Sequence, residues 1–155
     1  MKKVVIVGGG QAAASLAAKL RSEKFEGSIV MVCKEAHPPY QRPPLSKKYL
    51  LGEFSLDRLY LRPVSFYEDQ DITLYLGKTV DLIDPSKKQV MFGDDSLEYD
   101  DLVLALGSEP RRLPEKIGGE LGKVFTLRNL ADVDALAHGV VFAPNIQSRF
   151  VRRCF

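Results

Sequence analysis

Apolar residues change period twice within the first 33 positions of the chain. Within Met1–Val7 they run continuously from Val4 to Val7 and are β-branched, as in a parallel strand covered on both faces. From Gln11 to Ser22 they fall at Ala13, Leu16, Ala17 and Leu20, the spacing of one helical face, and Gly27 marks the stop. Ile29, Val30, Met31 and Val32 then restore the continuous run. Strand, glycine turn, helix and strand in this order predict a parallel βαβ unit.

The pattern breaks at His37–Leu45, where Pro38, Pro39, Pro43 and Pro44 exclude regular helix and central strand. Short helices are expected over Leu45–Leu51, closed by Gly52, and over Val64–Asp69, opened by Pro63. Four short strand-like runs follow: Ile72–Leu76, Val80–Ile83, Gln89–Phe92 and Leu97–Tyr99. The turn residues Asp84-Pro85-Ser86 and Gly93-Asp94-Asp95 lie between them, so they read as a small antiparallel meander inserted into the α/β pattern. Leu102–Leu106 predicts a further buried strand, and Asn129–Ala137 a last helix stopped by Gly139.

The glycine turn carries the first chemistry. Gly8-Gly9-Gly10-Gln11-Ala12-Ala13 fits G-x-G-x-x-[GA], with Gly8, Gly10 and Ala13 in the three defining places. The first glycine permits the tight turn, the second lets a pyrophosphate approach the backbone, and the small third residue lets helix and strand pack closely. The helix N-terminus adds N–H donors and the positive end of a dipole. The alternative is a turn that merely packs a helix. An acid that binds ribose is expected about 20 residues later. Cys33, Lys34 and Glu35 stand there; Glu35 can serve, whereas Lys34 favours a 2′-phosphate and keeps an NADP-type ligand open. Both are otherwise solvated loop charges. Farther on, the proline segment fixes Arg42, a planar fork for phosphate oxygens, five residues before Lys47, a compact charge suited to a redox ring. Its alternative is an exposed linker or a polyproline ligand for an adaptor domain.

Composition narrows the classes without choosing among them. The chain has 155 residues, 45% hydrophobic and 27% charged, the profile of one globular domain. Three of its 22 basic residues, Arg149, Arg152 and Arg153, lie in the last seven positions, leaving 19 against 20 acidic ones elsewhere. No basic face is broad enough to suggest nucleic acid. No apolar run is long enough for a membrane span, and the run Val4–Val7 is too short for a signal peptide. Cys33 and Cys154 fit no metal spacing and no disulfide framework, so a cytoplasmic protein is expected. His37 and His138 are isolated, leaving no acid–base pair and no metal site to name.

Taken together, VVIVGGGQAAASLAAKLR, HPPYQRPPLSKKYLLGE, LYLRP, YDDLVLALGSEPRRLP and TLRNLADVDAL resemble the N-terminal part of the FAD- and NADH-dependent ferredoxin reductases. That group holds the rubredoxin, putidaredoxin and rhodocoxin reductases within the pyridine nucleotide-disulfide oxidoreductase superfamily, with apoptosis-inducing factor a relative. The resemblance implies a Rossmann-like FAD/NAD(P)-binding three-layer α/β fold with an inserted antiparallel β-meander, incomplete at the C-terminus. It implies that residues 1–138 are the FAD-binding portion and that 139–155 are a divergent tail, truncated or out of register. By the same resemblance Gly8, Gly10, Gln11, Ala12 and Ala13 hold the pyrophosphate and adenosine side of FAD. Arg42 and Lys47 approach the flavin and diphosphate, Val80 meets the adenine through its backbone, and Ala105 and Gly107 belong to a second FAD-contacting strand end. Two positions depart from the pattern: Lys34 stands where the family has its ribose acid, and Leu106 where it has a threonine.

The implied function is passage of electrons from NADH through FAD to a ferredoxin- or rubredoxin-type iron–sulfur acceptor. No C-x4-C pair lies near the proline segment, so electrons leave from the flavin directly. The family's second glycine fingerprint and its later segments have no counterpart here. Two further readings stay open: a dinucleotide-binding module without redox turnover, and a degenerate fragment with no stable ligand.

Overall fold

The computed structural model describes residues 1–119, 121 and 124–141. Four parallel strands form the main sheet: β1 (Lys3–Val7), β2 (Ser28–Cys33), β3 (Ile72–Leu76) and β7 (Asp101–Leu104), in the order β3-β2-β1-β7. The continuous β-branched run of β1 is what a central strand requires, since both faces are covered. Val4 and Ile6 face a core layer with Ala13, Ala17, Ile29, Met31, Tyr67 and Ile72. Val5 and Val7 face the opposite layer with Val30, Val32, Val90 and Phe92. Helix α1 (Gln11–Ser22) and α2 (Val64–Asp69) supply the first cover. A separate antiparallel sheet, β4 (Leu82–Asp84), β5 (Gln89–Phe92) and β6 (Asp95–Glu98), supplies the second. The expected three-layer α/β arrangement stands.

The structure corrects several details, among them the meander strands expected over Val80–Ile83 and Leu97–Tyr99, which lie at Leu82–Asp84 and Asp95–Glu98. Ile72–Leu76 is not part of the meander; it pairs parallel with β2 in register Ile29 to Ile72 and closes the main sheet. An alternating apolar run names a strand but not its partner, and the partner here is set by the crossover through α2. The short helix expected over Leu45–Leu51 is a 3-10 turn at Pro43–Ser46 followed by hydrogen-bonded turns to Gly52; the prolines open the first turn, but Lys47 leaves helical geometry at φ −135° and ψ −111° and no regular helix propagates. The buried strand expected over Leu102–Leu106 is Asp101–Leu104, and none of its residues is buried because β7 is an edge strand of this sheet. Helix α3 (Leu130–Val141) runs through Gly139, which lowers helix propensity without ending it. The packing tail expected around Phe142, Ile146, Phe150, Val151 and Phe155 lies outside the described residues.

The chain divides into two compact units, residues 1–41 with 55–108, and 42–54 with 109–155. In the first, Arg21 acts as a clamp. Its Nε donates to Gln70 O at 2.6 Å, Nη1 to Phe25 O at 2.6 Å and Gly27 O at 2.8 Å, and Nη2 to Asp71 O at 2.7 Å. One side chain thus ties the end of α1 to the entries of β2 and β3. In the second unit, α3 begins with a reciprocal cap. Asp132 Oδ2 accepts from Arg128 N at 2.7 Å and Asn129 N at 3.1 Å, while Asn129 Oδ1 accepts from Asp132 N at 2.9 Å.

Candidate dinucleotide site

The glycine turn leaves the carboxyl end of β1, where open α/β sheets hold ligands. Gly8 has φ +130°, and a Cβ there would stand 2.2 Å from Ala105 O, so only glycine fits beside the end of β7. The contact is fixed on both sides: Gly8 N donates to Val32 O at 2.9 Å, and Ala105 N to Val7 O at 2.9 Å. Gly10 differs. It precedes α1 in an extended conformation, and a Cβ built on it meets nothing within 4 Å. No side chain caps the helix, and its first turn carries no acid. The N–H groups that open α1 are therefore left without a side-chain cap or an acid in their own turn among the described residues, a start suited to an anion. Ala13 is fully buried against the sheet, as its place in the fingerprint demands. Gln11 and Ala12 are exposed beside the turn, and Gln11 Nε2 donates to Ser15 Oγ at 3.2 Å.

Beneath the turn lies Cys33, the last residue of β2. Its Sγ is 3.8 Å from Gly8 O, and a Cβ on Gly9 would come within 3.0 Å of the cysteine side chain. Burial, aided by the charge of Glu35, pushes the thiol up to about 12, so it is a neutral packing group and not a nucleophile. Nothing in its sequence spacing marks this role.

Beyond Cys33, Lys34 is exposed and Glu35 half-buried. Glu35 O accepts from Gly77 N at 3.0 Å and Cys33 O from Lys78 N at 2.9 Å, which anchors this loop to the turn after β3. The Glu35 carboxylate accepts a hydrogen bond from the Tyr40 hydroxyl. Val80 is half-buried against the Val90 and Phe92 layer. Ala105 packs against the opposite layer, while Leu106, 68% exposed, and Gly107, φ +70°, lead away from the sheet. The glycine turn, Lys34, Glu35, Val80, Ala105 and Gly107 all belong to the first unit.

Arg42 and Lys47 belong to the second. Arg42 Nη1 donates to Arg128 O at 2.7 Å, joining the proline segment to the approach of α3. Leu45, Leu130 and Val133 are buried in this unit, and Lys47 is exposed at the end of the 3-10 turn. The proline segment is not a free linker: Pro38, Pro39 and Tyr40 are buried, and Tyr40 bridges Tyr60. Among the described residues no three His, Cys, Asp or Glu side chains gather as a metal site, and no helix is long and apolar enough to cross a membrane.

Residues 2–144 match the family model for pyridine nucleotide-disulphide oxidoreductases. The chain belongs to this family. Its members and their ferredoxin reductases are FAD-binding proteins with NAD(P)H as donor. It is 44% identical over 135 residues to a ferredoxin–NAD(P)+ reductase of a Sphingomonas species, covering 86% of this chain and 32% of the relative. Putidaredoxin reductase of Pseudomonas putida is 39% identical over 141 residues, covering 89% and 33%. Among solved structures, putidaredoxin reductase in covalent complex with putidaredoxin superposes with TM-score 0.80 at 39% identity, covering 90% of this chain and 34% of that one. A ferredoxin reductase from Rhodopseudomonas palustris gives TM-score 0.82 at 34% identity, covering 92% and 35%. The chain spans about a third of the length of these relatives. The resemblance and the fold class expected from the sequence both stand.

Proposed function

We propose that this chain is the FAD-binding portion of a flavoprotein oxidoreductase that passes electrons from NADH to a ferredoxin- or rubredoxin-type iron–sulfur protein. The observation that carries the reading is the contrast within the glycine turn: Gly8 admits no Cβ, whereas Gly10 opens onto empty space at an uncapped, acid-free helix start. Bound FAD would supply the redox chemistry, accepting a hydride and releasing single electrons. The chain's own residues bind and orient it. Gly8, Gly10, Gln11, Ala12 and Ala13 take the pyrophosphate and adenosine side, Glu35 the ribose, and Val80 the adenine edge. Ala105 and Gly107 line the second strand end. Arg42 and Lys47 take the diphosphate and flavin side. Residues 1–138 are assigned to this portion, and α3 and the family match carry it past that boundary to residues 141 and 144. A cytoplasmic setting fits the buried free thiol of Cys33.

Purified protein mixed with FAD and passed through gel filtration tests the reading. The expected result is co-elution of flavin absorbance with protein, and displacement of that flavin by excess ADP. NADH alone is expected to leave the bound flavin oxidised, because no second glycine fingerprint occurs in the sequence. Protein that elutes without flavin and binds no ADP would overturn the proposal. A competing module reading draws on exposed Lys34; tighter binding of NADP than of FAD would favour it.

A further inference from the structure

Glu35 stands just beyond the carboxyl end of β2, next to the strand that delivers the glycine turn. In a βαβ nucleotide fold this is where an acid accepts hydrogen bonds from the adenosine ribose. The preceding position holds Lys34, exposed and of the wrong charge to accept. Glu35 is held at both ends. Its main chain is tied to the turn after β3 through Gly77 N, 3.0 Å from Glu35 O. Its carboxylate Oε2 accepts a hydrogen bond from the Tyr40 hydroxyl. Tyr40 is only 4% exposed and is itself pinned. It bridges Tyr60, with Gln41 N donating to Leu59 O at 2.8 Å and Leu61 N to Pro39 O at 2.9 Å. The proline segment thus delivers a rigid phenol to a glutamate five residues upstream.

A glutamate has several rotamers, and fixing it only when ligand arrives weakens binding; fixing it beforehand removes that cost. A carboxylate accepts through two oxygens and about four lone pairs, so one phenol does not exhaust it. We propose that Tyr40 is a positioning residue, holding the Glu35 carboxylate as the acceptor for adenosine ribose hydroxyls in place of an acid at position 34. The inference rests on the dinucleotide reading above. It specifies the ligand class as an adenosine diphosphate compound with its ribose hydroxyls unmodified.

The test is calorimetric titration of the full 155-residue chain with ADP and with 2′,3′-dideoxy-ADP. Wild type, Tyr40→Phe, Glu35→Gln and the double variant are compared, each first shown folded by its thermal transition. Each single variant is expected to bind ADP about fivefold to tenfold more weakly, the scale of one well-placed hydrogen bond. The double variant should be no weaker than Glu35→Gln, and wild type and Tyr40→Phe should bind the dideoxy ligand alike. Unchanged or tighter ADP binding by Tyr40→Phe overturns the inference, since the phenol would then be idle or a competitor. Equal weakening for both ligands also overturns it, since that marks a merely structural tyrosine. Those results leave the dinucleotide reading intact, whereas a wild-type chain that binds neither ADP nor FAD overturns both.

Discussion

Gly8 and Gly10 sit two positions apart in one motif, yet they answer to different constraints. Gly8→Ala drives a methyl into Ala105 O at a positive φ, and is expected to cost at least about 3 kcal/mol of stability in urea denaturation. Gly10→Ala meets open space at an ordinary φ of −93°; its stability should stay within about 1 kcal/mol of wild type, while FAD affinity falls at least about tenfold as the methyl occupies the diphosphate's approach. A second pair acts through pH. Burial raises the Cys33 thiol from 9.0 to about 12 and the Tyr67 phenol from 10.0 to about 12. In each case the unfolded chain loses its proton first, so between pH 9 and 12 the native state binds more protons and stability falls with rising pH. Below about pH 8 both groups are protonated in the folded and unfolded chain alike, so stability no longer changes with pH through either. Urea titrations at increasing pH should show a decline of at most about 1.4 kcal/mol per unit for each group, flattened near its start by Cys33→Ala. Among the described residues the buried Tyr67 hydroxyl has no hydrogen-bond partner, so Tyr67→Phe should be neutral or raise stability by about 1 kcal/mol. The glycines were legible in the sequence because their requirement is local. Cys33 and Tyr40 were not, because their roles depend on what the fold brings against them.

Helix α1 and strands β3 and β5 occupy the spans their periodicity predicts. Local pattern fails where pairing decides. Ile72–Leu76 has the same short apolar character as the meander strands, but its partner is β2, far away in sequence. Arg21 shows the same limit from the polar side. It lies on α1 among other surface charges, and nothing around it announces four bonds to the carbonyls of Phe25, Gly27, Gln70 and Asp71. Lysine keeps the charge but loses the planar fork. Arg21→Lys is therefore expected to lower stability by about 2–3 kcal/mol, read as a shift in denaturation midpoint with the slope unchanged. At α3 the reciprocal Asn129 and Asp132 cap explains why the helix starts at Leu130.

The family match spans residues 2–144, and both the glycine fingerprint and the proline segment lie within it. At about a third of the length of its relatives, the chain is expected to gain stability from FAD by mass action. A hundredfold excess over the dissociation constant adds about 2.7 kcal/mol, visible as a higher thermal midpoint that ADP reproduces and riboflavin does not. The tight fit of Gly8 against Ala105 also sets an order of events during synthesis. The turn proposed to receive the diphosphate abuts Ala105 just beyond β7, the neighbour of β1 that is made last in the sheet, so the first βαβ unit lacks one wall of that proposed cradle until β7 is in place. On that reading, full capture of nucleotide is expected to wait until β7 has left the ribosome and docked on β1, a contact between distant parts of the chain and therefore a slow one. Until then the nascent chain displays its most recognisable motif in a form with nothing to hold.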